Sequence, residues 1–361
     1  MESKEFEIQD AQRYLAENNQ LRVALEIPDD AVVIPHPLGL GEHNKNYWFT
    51  HPAKEKKLVL RVNVAPQPFH DNQIAYEYAA LRALASSGRT PTPFYIDDSE
   101  GSPAYGALVT SFCEGEELDF DSLNPDDLGC VAHIMADVHA VETGEQTKLY
   151  RPEDPLRSLY EECLERIDVY KSSGYEEERL TKWVTLFAQT CEQTLSTKRY
   201  PEDCTHIINT EPLPSHFLIP RSPGRTQADA QGGSQLLAGH PGYFIDWERP
   251  IIGEVAQDVA YFVSPTTTFW DSEYLFPKSN VDAFIEEYWK AVDGRFARGN
   301  FDERFKAFRM MTVLRSVSWC CRALSVYRGG NGHTTEKTAR KLPIYLSDEF
   351  MEMLADTCFG L

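Results

Sequence analysis

Two short apolar segments, separated by a loop that contains two prolines, most constrain how this chain can fold. The stretch HIINTEPLPSHFLI, residues 206–219, has an apolar start, a polar middle with Pro212 and Pro214, and a second apolar run. Proline has no amide N–H to donate, so the middle cannot lie inside a sheet. We therefore predict a strand over 205–209, a rigid loop, and a strand over 216–220. Loops held by a rigid scaffold are where catalytic groups are often presented.

This loop interrupts a part of the chain that is otherwise helical. Apolar residues recur at helical spacing on both sides of it. The predicted helices are 126–142, 153–171, 176–197, 280–293, 301–326 and 347–357. A further strand, 243–246, leads through a loop into another helix. The Gly-, Ser- and Gln-rich segment 221–242 is expected to form an extended, mobile hairpin tip.

The earlier part of the chain favours strands. Residues 56–64 alternate between apolar and polar, and residues 31–49 contain two strand-like runs joined by a glycine-bearing turn. Residues 73–88 have helical spacing and end at a glycine, and residues 5–25 also look helical. Two more short strands are expected around an acidic turn, in residues 90–115.

This order of elements predicts an α+β fold with a small β-rich lobe followed by a larger helical lobe. The predicted domains are a helical extension at 1–29, the β-rich lobe at 30–113 and the helical lobe at 114–361. A chain of 361 residues, 42% of them hydrophobic, is long enough for one large or two modest domains.

Charge and composition narrow the function classes. The net charge of −21 argues against a nucleic-acid partner, because binding phosphates requires a basic surface. An acidic cleft would concentrate a cationic small molecule, although the same charge could serve solubility alone. No run approaches about 18 apolar residues, and the start lacks the apolar region of a secretory signal. Eight scattered cysteines without a CxxC pair indicate reduced thiols. We therefore expect a cytoplasmic protein without a membrane span.

Two features of the β-rich lobe suit phosphate binding. Gly39, Gly41 and Asn44 lie in a turn between strands, where glycine lets the backbone approach a phosphate closely. Arg61 lies on the next strand and Glu77 on the next helix, so Glu77 could hold a phosphate-binding Arg61 in place. A common hairpin turn, a surface arginine and a surface glutamate would look the same in sequence.

The helical lobe supplies carboxylates. Phosphoryl transfer needs one carboxylate to orient and deprotonate the acceptor hydroxyl and oxygen ligands for Mg²⁺. Glu211 is placed to be the base, and His216, five residues later, stands where a metal ligand is expected. Asp246, at the end of a strand, suits Mg²⁺ because it is hard, anionic and placed at an edge. Asp258 could accept hydrogen bonds that fix the loop.

The motifs together resemble the aminoglycoside phosphotransferase/choline kinase family. FIDWERPIIGEVAQDVAYF, residues 244–262, resembles the second signature of that family. HIINTEPLPSHFLI resembles its catalytic loop, usually His-Gly-Asp-(x)4-Asn followed by an apolar strand. LVLRV, residues 58–62, resembles its nucleotide-anchoring strand, and LVTSFCEGEEL, residues 108–118, its linker between lobes. The motifs occur in the family's order over about residues 30–330.

The resemblance implies a bilobal protein-kinase-like fold. ATP would lie against the linker at 109–114, with Thr110 and Phe112 as contacts beside the glycine turn, and Arg61 would touch its phosphates. Asp246 and His216 would hold Mg²⁺. The γ-phosphoryl group would pass to a hydroxyl of a small, cationic metabolite or aminoglycoside-like acceptor. ATP or GTP, and a monomer or a homodimer, remain open.

The chain departs from the family pattern within the catalytic loop. Asn209 stands in place of histidine, Glu211 in place of the catalytic aspartate, and His216 in place of the metal-binding asparagine. Imidazole is a poorer Mg²⁺ ligand than oxygen, and small misplacements of a catalytic group can cost roughly a hundredfold in rate. Two functions therefore stay open: a phosphotransferase with an altered loop, or a weak or inactive kinase-like protein that binds nucleotide or metabolite as a sensor or scaffold.

Overall fold

The computed structural model describes residues 6–40, 44–65, 72–99, 105–123, 125–144, 147–200, 205–220, 242–330 and 335–361. The chain is of the α+β class, as predicted. The strands are β1 His36–Leu40, β2 Asn44–Thr50, β3 Lys57–Asn63, β4 Pro93–Asp97, β5 Ala107–Ser111, β6 Glu116–Glu117, β7 His206–Ile208, β8 Phe217–Ile219, β9 Tyr243–Phe244 and β10 Ile251–Gly253. The α-helices are α1 Ile8–Glu17, α2 Asn19–Leu25, α3 Gln73–Leu84, α4 Pro125–His139, α5 Pro155–Lys171, α6 Glu178–Thr194, α7 Val255–Phe262, α8 Pro265–Asp271, α9 Lys278–Val292, α10 Phe301–Arg328, α11 Glu336–Tyr345 and α12 Asp348–Leu354.

The chain forms two compact units. The first unit comprises Met1–Glu116, Val141–Leu149 and Phe217–Pro250, and the second comprises Glu117–Ala140, Tyr150–His216 and Ile251–Leu361. The two predicted site carboxylates, Glu211 and Asp246, each lie a few residues before a point where the chain passes from one unit to the other. The boundaries of the predicted lobes, which follow chain order alone, stay a prediction.

A five-stranded antiparallel sheet forms the centre of the first unit, with strand order β1-β2-β3-β5-β4. In β3 the predicted alternation is confirmed: Leu60 and Val62 are fully buried, and Arg61 lies on the opposite face. Gly39 lies within β1, paired with Asn46 of β2, rather than in the turn itself. The turn residues 41–43, which include the predicted phosphate contact Gly41, lie outside the described residues.

The helix predicted at 5–25 is two helices. Asn18 separates them because its backbone is extended (φ −77°, ψ 95°) and its side-chain oxygen caps α2 by accepting the N–H of Leu21 at 2.9 Å. The core of this unit includes both helices, since Leu15 and Leu21 are fully buried with the inner residues of the sheet. The helix predicted at 73–88 is confirmed as α3, followed by a 3-10 turn that ends at Gly88 (φ 64°).

The second unit is mainly helical, and its small sheet positions the proline-containing loop. β7 pairs antiparallel with β10, so that Ile208 lies opposite Ile251 and His206 opposite Gly253. Gly253 is required there, since a Cβ at this position would lie 2.8 Å from Cδ1 of Ile208. α7 begins directly after β10, so the strand pair fixes the start of the loop and the start of the helix together. We had expected residues 251–253 to be part of a loop, and this was wrong.

The longer predicted helices are confirmed, but two helices were missed. α8 has only seven residues, and α11 contains Pro343. The strand predicted at 243–246 is shorter: it ends at Phe244, because Asp246 has a left-handed backbone (φ 64°) that a strand cannot contain. Of the predicted hairpin tip, residues 221–241 lie outside the described residues. No described helix has the length and apolar character needed to cross a membrane.

Candidate active site

Arg61 joins three carboxylates of the first unit. Its Nε lies 3.0 Å from Oε2 of Glu77, an ion-pair contact without hydrogen-bond alignment, and its Nη2 donates to Oδ1 of Asp246 at 3.1 Å. The same Nη2 contacts Glu248. The Arg61 side chain is 13% exposed and that of Glu77 is 5% exposed. The structure therefore brings Arg61, Glu77 and Asp246 together and excludes the alternative of a surface arginine and a surface glutamate.

Helix α3 holds the segment after Asp246. Gln73 donates from its side-chain amide to the carbonyl of Glu248 at 2.5 Å, and the Tyr76 hydroxyl donates to the carbonyl of Pro250 at 2.5 Å. Together with Glu77, these residues lie three and four positions apart, on one face of the helix. Asn44, at the start of β2, donates its side-chain amide to the Glu248 carboxylate. Glu248 thus collects donors from a strand and a helix.

Burial and charge oppose each other in this cluster. Burial raises the pKa of Glu77 to about 7, and Arg61 lowers it by less, because Glu248 and Asp246 share the same guanidinium and repel Glu77. Burial acts against the charge of Arg61, but Glu77, Asp246 and Glu248 outweigh it and raise the pKa of Arg61. Arg61 therefore stays charged, whereas Glu77 titrates near neutrality. In this cluster Arg61 contacts three acids, of which Glu77 is the most buried.

The linker residues lie at and after β5. Thr110 is buried at 7% exposure, and Phe112 is half-buried just past the strand. The Lys57 ammonium lies 4.8 Å from the centre of the Phe112 ring and 3.0 Å from Oε1 of Glu114. The Phe112 ring thus lies beside the exposed ion pair of Lys57 and Glu114.

Asp258 anchors the proline-containing loop of the second unit. Its carboxylate is fully buried and accepts the backbone N–H of Asn209 at 2.7 Å and that of Thr210 at 2.8 Å. Asp258 was expected to accept hydrogen bonds that fix a loop, and the loop that it fixes is this one. Thr210 has a left-handed backbone (φ 74°), which is strained for a β-branched residue. It stands where the family pattern has glycine, so the loop keeps a conformation suited to glycine without the glycine.

His139, His206 and Tyr288 form a hydrogen-bonded network next to Asp258. Nε2 of His139 lies 3.4 Å from the Asp258 carboxylate, and its Nδ1 lies 2.8 Å from the hydroxyl of Tyr288. The carbonyl of His139 accepts a hydrogen bond from Nδ1 of His206 at 2.8 Å. Burial lowers the pKa of His206 to about 4, so this ring is neutral at physiological pH. His139 is itself fully buried in this network.

Glu211 forms an ion pair within the second unit. Nη2 of Arg315, on α10, donates to Oε1 of Glu211, whose side chain is 34% exposed. Asn209 accepts the Glu211 backbone N–H at 3.2 Å. His216 ends a 3-10 turn at Pro214–His216, where its N–H donates to the carbonyl of Leu213 at 3.0 Å. The structure thus places Glu211 and His216 on one loop, and their catalytic and metal-binding roles stay predictions.

Sequence reasoning missed Glu248 and Arg315. Glu248 carried a local signal, because it lies two residues after Asp246 in the quoted IDWE stretch. Arg315 carried none, since it lies in a long amphipathic run, 104 residues from its partner Glu211. Among the described residues, no group of three or more His, Cys, Asp or Glu could hold a metal ion by itself.

Comparisons with known proteins give the class first. The chain is similar in fold to a putative aminoglycoside phosphotransferase from Ralstonia eutropha (13% identity, 94% of this chain and 96% of that chain, TM-score 0.64). It is also similar to a spectinomycin phosphotransferase solved with ADP and spectinomycin (11%, 95% and 98%, TM-score 0.61) and to an ethanolamine kinase from Plasmodium vivax (11%, 95% and 90%, TM-score 0.61). The fold is therefore that of the kinase-like small-molecule phosphotransferases.

The family follows from the sequence. The model of the phosphotransferase enzyme family matches residues 36–303, which is most of the chain. This protein belongs to that family, and the resemblance seen in its motifs is confirmed. Among proteins of curated function, none matches the chain in sequence.

Proposed function

We propose that this protein transfers the γ-phosphoryl group of ATP to a hydroxyl of a small molecule. The observation that carries the proposal is the contact of Arg61 with both Glu77 and Asp246, at 3.0 and 3.1 Å. A cation fixed by a helix carboxylate, next to a carboxylate at a strand end, provides groups for both the phosphates and the metal. Membership of the phosphotransferase family supports the same reaction class.

The residues of the first unit fit ATP and Mg²⁺. Mg²⁺ is held in such enzymes by one or two carboxylates together with phosphate oxygens, so a complete protein cage is not needed. Asp246 supplies a carboxylate whose side chain is 35% exposed, which suits one such ligand. Bound Mg²⁺ neutralises charge on the phosphates during transfer. Asp246 would hold the metal, Arg61 the phosphates, and Thr110, Phe112, Gly39 and Asn44 the nucleotide.

Glu211 would orient the acceptor hydroxyl and take its proton. Its carboxylate is half-exposed and its backbone is fixed, which suits a group that must meet a substrate from solvent. His216 would be the second metal ligand. Imidazole is a poor ligand for Mg²⁺, and softer divalent ions accept nitrogen more readily. We therefore propose that Mn²⁺ supports turnover at least as well as Mg²⁺.

A kinase-like sensor or scaffold is the second candidate. The ion pair between Glu211 and Arg315 favours it, because a carboxylate that already neutralises a guanidinium is a weaker proton acceptor. The histidine at 216 favours it too. In this case the first unit would bind nucleotide, and no phosphoryl group would be transferred.

ADP release from ATP tests the two candidates. The purified protein would be assayed with Mg²⁺ or Mn²⁺, alone and with pooled amino alcohols, aminoglycosides and neutral sugars. Glu211→Gln and Asp246→Asn would run beside Glu165→Gln, a matched change at an exposed position of α5. We expect acceptor-dependent ADP release that both site variants lose and the control keeps.

Each other outcome has a defined meaning. Nucleotide binding without ADP release under any condition would favour the sensor. If the protein neither binds nucleotide nor releases ADP, both candidates are refuted. Release only with the amine-containing pool would support the cationic acceptor, and release with neutral sugars would contradict it. Cytoplasmic location, and a monomer or a homodimer, belong to the same proposal.

A further inference from the structure

Arg315 is a buried cation whose hydrogen-bonding carboxylate is Glu211. The arginine lies on α10 with its side chain 10% exposed, and it contacts the carboxylate through Nη2. Its Nε lies 3.9 Å from Oε1 of Glu162, too far for a hydrogen bond, and the atom has no hydrogen-bond partner among the described residues. The guanidinium also lies 5.9 Å from the centre of the Tyr261 ring. The contact with Glu211 is therefore the main compensation for burying this charge.

The charge of Arg315 is stable. Burial opposes it, but Glu211 and then Glu162 outweigh burial and raise the pKa of Arg315. A buried charge that loses its partner is strongly destabilising. We therefore expect the ion pair between Arg315 and Glu211 to be maintained in the folded protein. A cation in contact with a carboxylate also favours the ionised form of that carboxylate.

The backbone around Arg315 is fixed as well. Arg166, on α5, donates to the carbonyl of Arg315 at 3.4 Å and pairs with Glu162 one turn earlier. Helices α5 and α10 are thus joined next to the guanidinium. On the other side, Asp258 fixes the backbone of the loop immediately before Glu211. Glu211 is held at its backbone by the loop and at its carboxylate by α10.

We infer that Arg315 is a positioning residue, which holds the Glu211 carboxylate ionised and in one orientation. Glutamate has one more methylene and one more torsion than the aspartate of the family pattern, and its free side chain would sample several rotamers. The charge-assisted hydrogen bond from Nη2 of Arg315 to Oε1 restricts the carboxylate to fewer geometries. Because a loose phosphoryl-transfer transition state relies more on positioning than on proton abstraction, the ion pair serves the reaction. The inference rests on the proposed function.

The test compares Arg315→Gln and Arg315→Lys with Arg322→Gln, an exposed position on the same helix. We expect Arg315→Gln to lower kcat by roughly ten- to a hundredfold and to leave KM for ATP unchanged. Its pH profile should lose activity at a higher pH on the acid side, since a carboxylate without an adjacent cation protonates more readily. Compared with Arg315→Gln, Arg315→Lys should restore part of kcat and most of the pH profile, because lysine keeps the positive charge but lacks the planar guanidinium.

Unfolding measurements separate this inference from the proposed function. Urea midpoints of Glu211→Gln, Arg315→Lys and the double variant form a cycle that needs no turnover. If the wild type is active and Arg315→Gln keeps its kcat and its pH profile, the inference is overturned and the proposed function stands. If the wild type releases no ADP, the proposed function fails. The unfolding cycle is then the remaining test of the inference. Non-additive midpoints support the interaction of Arg315 with Glu211, and additive midpoints overturn the inference.

Discussion

At Glu77, burial and ion pairing act in opposite directions on a single carboxylate. Its pKa is raised from 4.5 to about 7, mainly by burial, although Arg61 lies 3.0 Å away. The folded protein therefore retains a proton that the unfolded chain has released between these two values. Binding more protons in the folded state means that stability falls as pH rises through this interval.

Glu77→Gln removes this titration. We expect the free energy of unfolding of the wild type, relative to the variant, to fall on the order of 1–3 kcal/mol as pH rises from about 4.5 to 7. Urea titrations of both proteins at half-unit pH intervals measure it, and other titrating groups cancel in the difference. A constant difference across this interval would show that Arg61 compensates fully for the burial of Glu77.

Thr210 stores backbone strain in the proline-containing loop. Its φ of 74° costs a β-branched residue on the order of 1–3 kcal/mol, whereas glycine adopts it freely. We expect Thr210→Gly to leave the free energy of unfolding unchanged or to raise it by about 1 kcal/mol, because relief of strain offsets the greater freedom of glycine in the unfolded chain.

The matched control for this change is Thr205→Gly, at the residue just before β7, where φ is not positive. There the same substitution should lower the free energy of unfolding by roughly 0.5–1 kcal/mol. Equal losses at the two positions, measured by urea unfolding, would contradict the strain at Thr210.

At the scale of elements, α7 and the loop are joined by the buried carboxylate of Asp258. It serves two backbone amides that have few alternatives, because Asn209 and Thr210 are themselves buried. Asp258→Ala would leave both amides without this acceptor. We expect it to destabilise the protein by about 3 kcal/mol or more, and Asp258→Asn, which keeps one oxygen, to cost less.

Asp282→Ala is the comparison for that measurement. Asp282 lies on α9 with its side chain 55% exposed and, among the described residues, pairs with Lys278 one turn earlier. Its loss should cost no more than about 0.5 kcal/mol. If denaturant unfolding gives Asp258→Ala and Asp282→Ala similar values, Asp258 does not anchor the loop.

For the whole molecule, the net charge of −21 should matter at long range. Like charges repel in the compact state, and salt screens them over about 10 Å at 0.1 M. We expect Tm to rise as NaCl increases from about 0.02 to 0.3 M, the opposite of what local ion pairs alone would give. A scanning calorimetry series in NaCl, with sucrose as the uncharged comparison, measures it. A constant or falling Tm would mean that ion pairs outweigh the repulsion.

The sequence was most informative where a pattern is local. β3, α3 and α10 follow from periodicity, and the motif around Asp246 indicated both its site and the family. Errors arose where tertiary contacts override local preference. β10 exists because it pairs with β7, and the strand before Asp246 stops early because of one left-handed residue. Arg315 could not be found at all, since its partner is 104 residues away and no spacing links them.

The residue that fixes the backbone of the loop differs from those that supply its polar side chains, and this has an evolutionary consequence. Asp258 holds backbone amides, which every residue at 209 and 210 provides except proline, whereas the side chains of Glu211 and His216 take no part in that anchoring. The path of the loop and its chemistry are therefore specified by different residues. A lineage built on this scaffold can therefore change residue 216 without losing the two hydrogen bonds to Asp258, whereas a change at 211 also removes the partner of the buried Arg315.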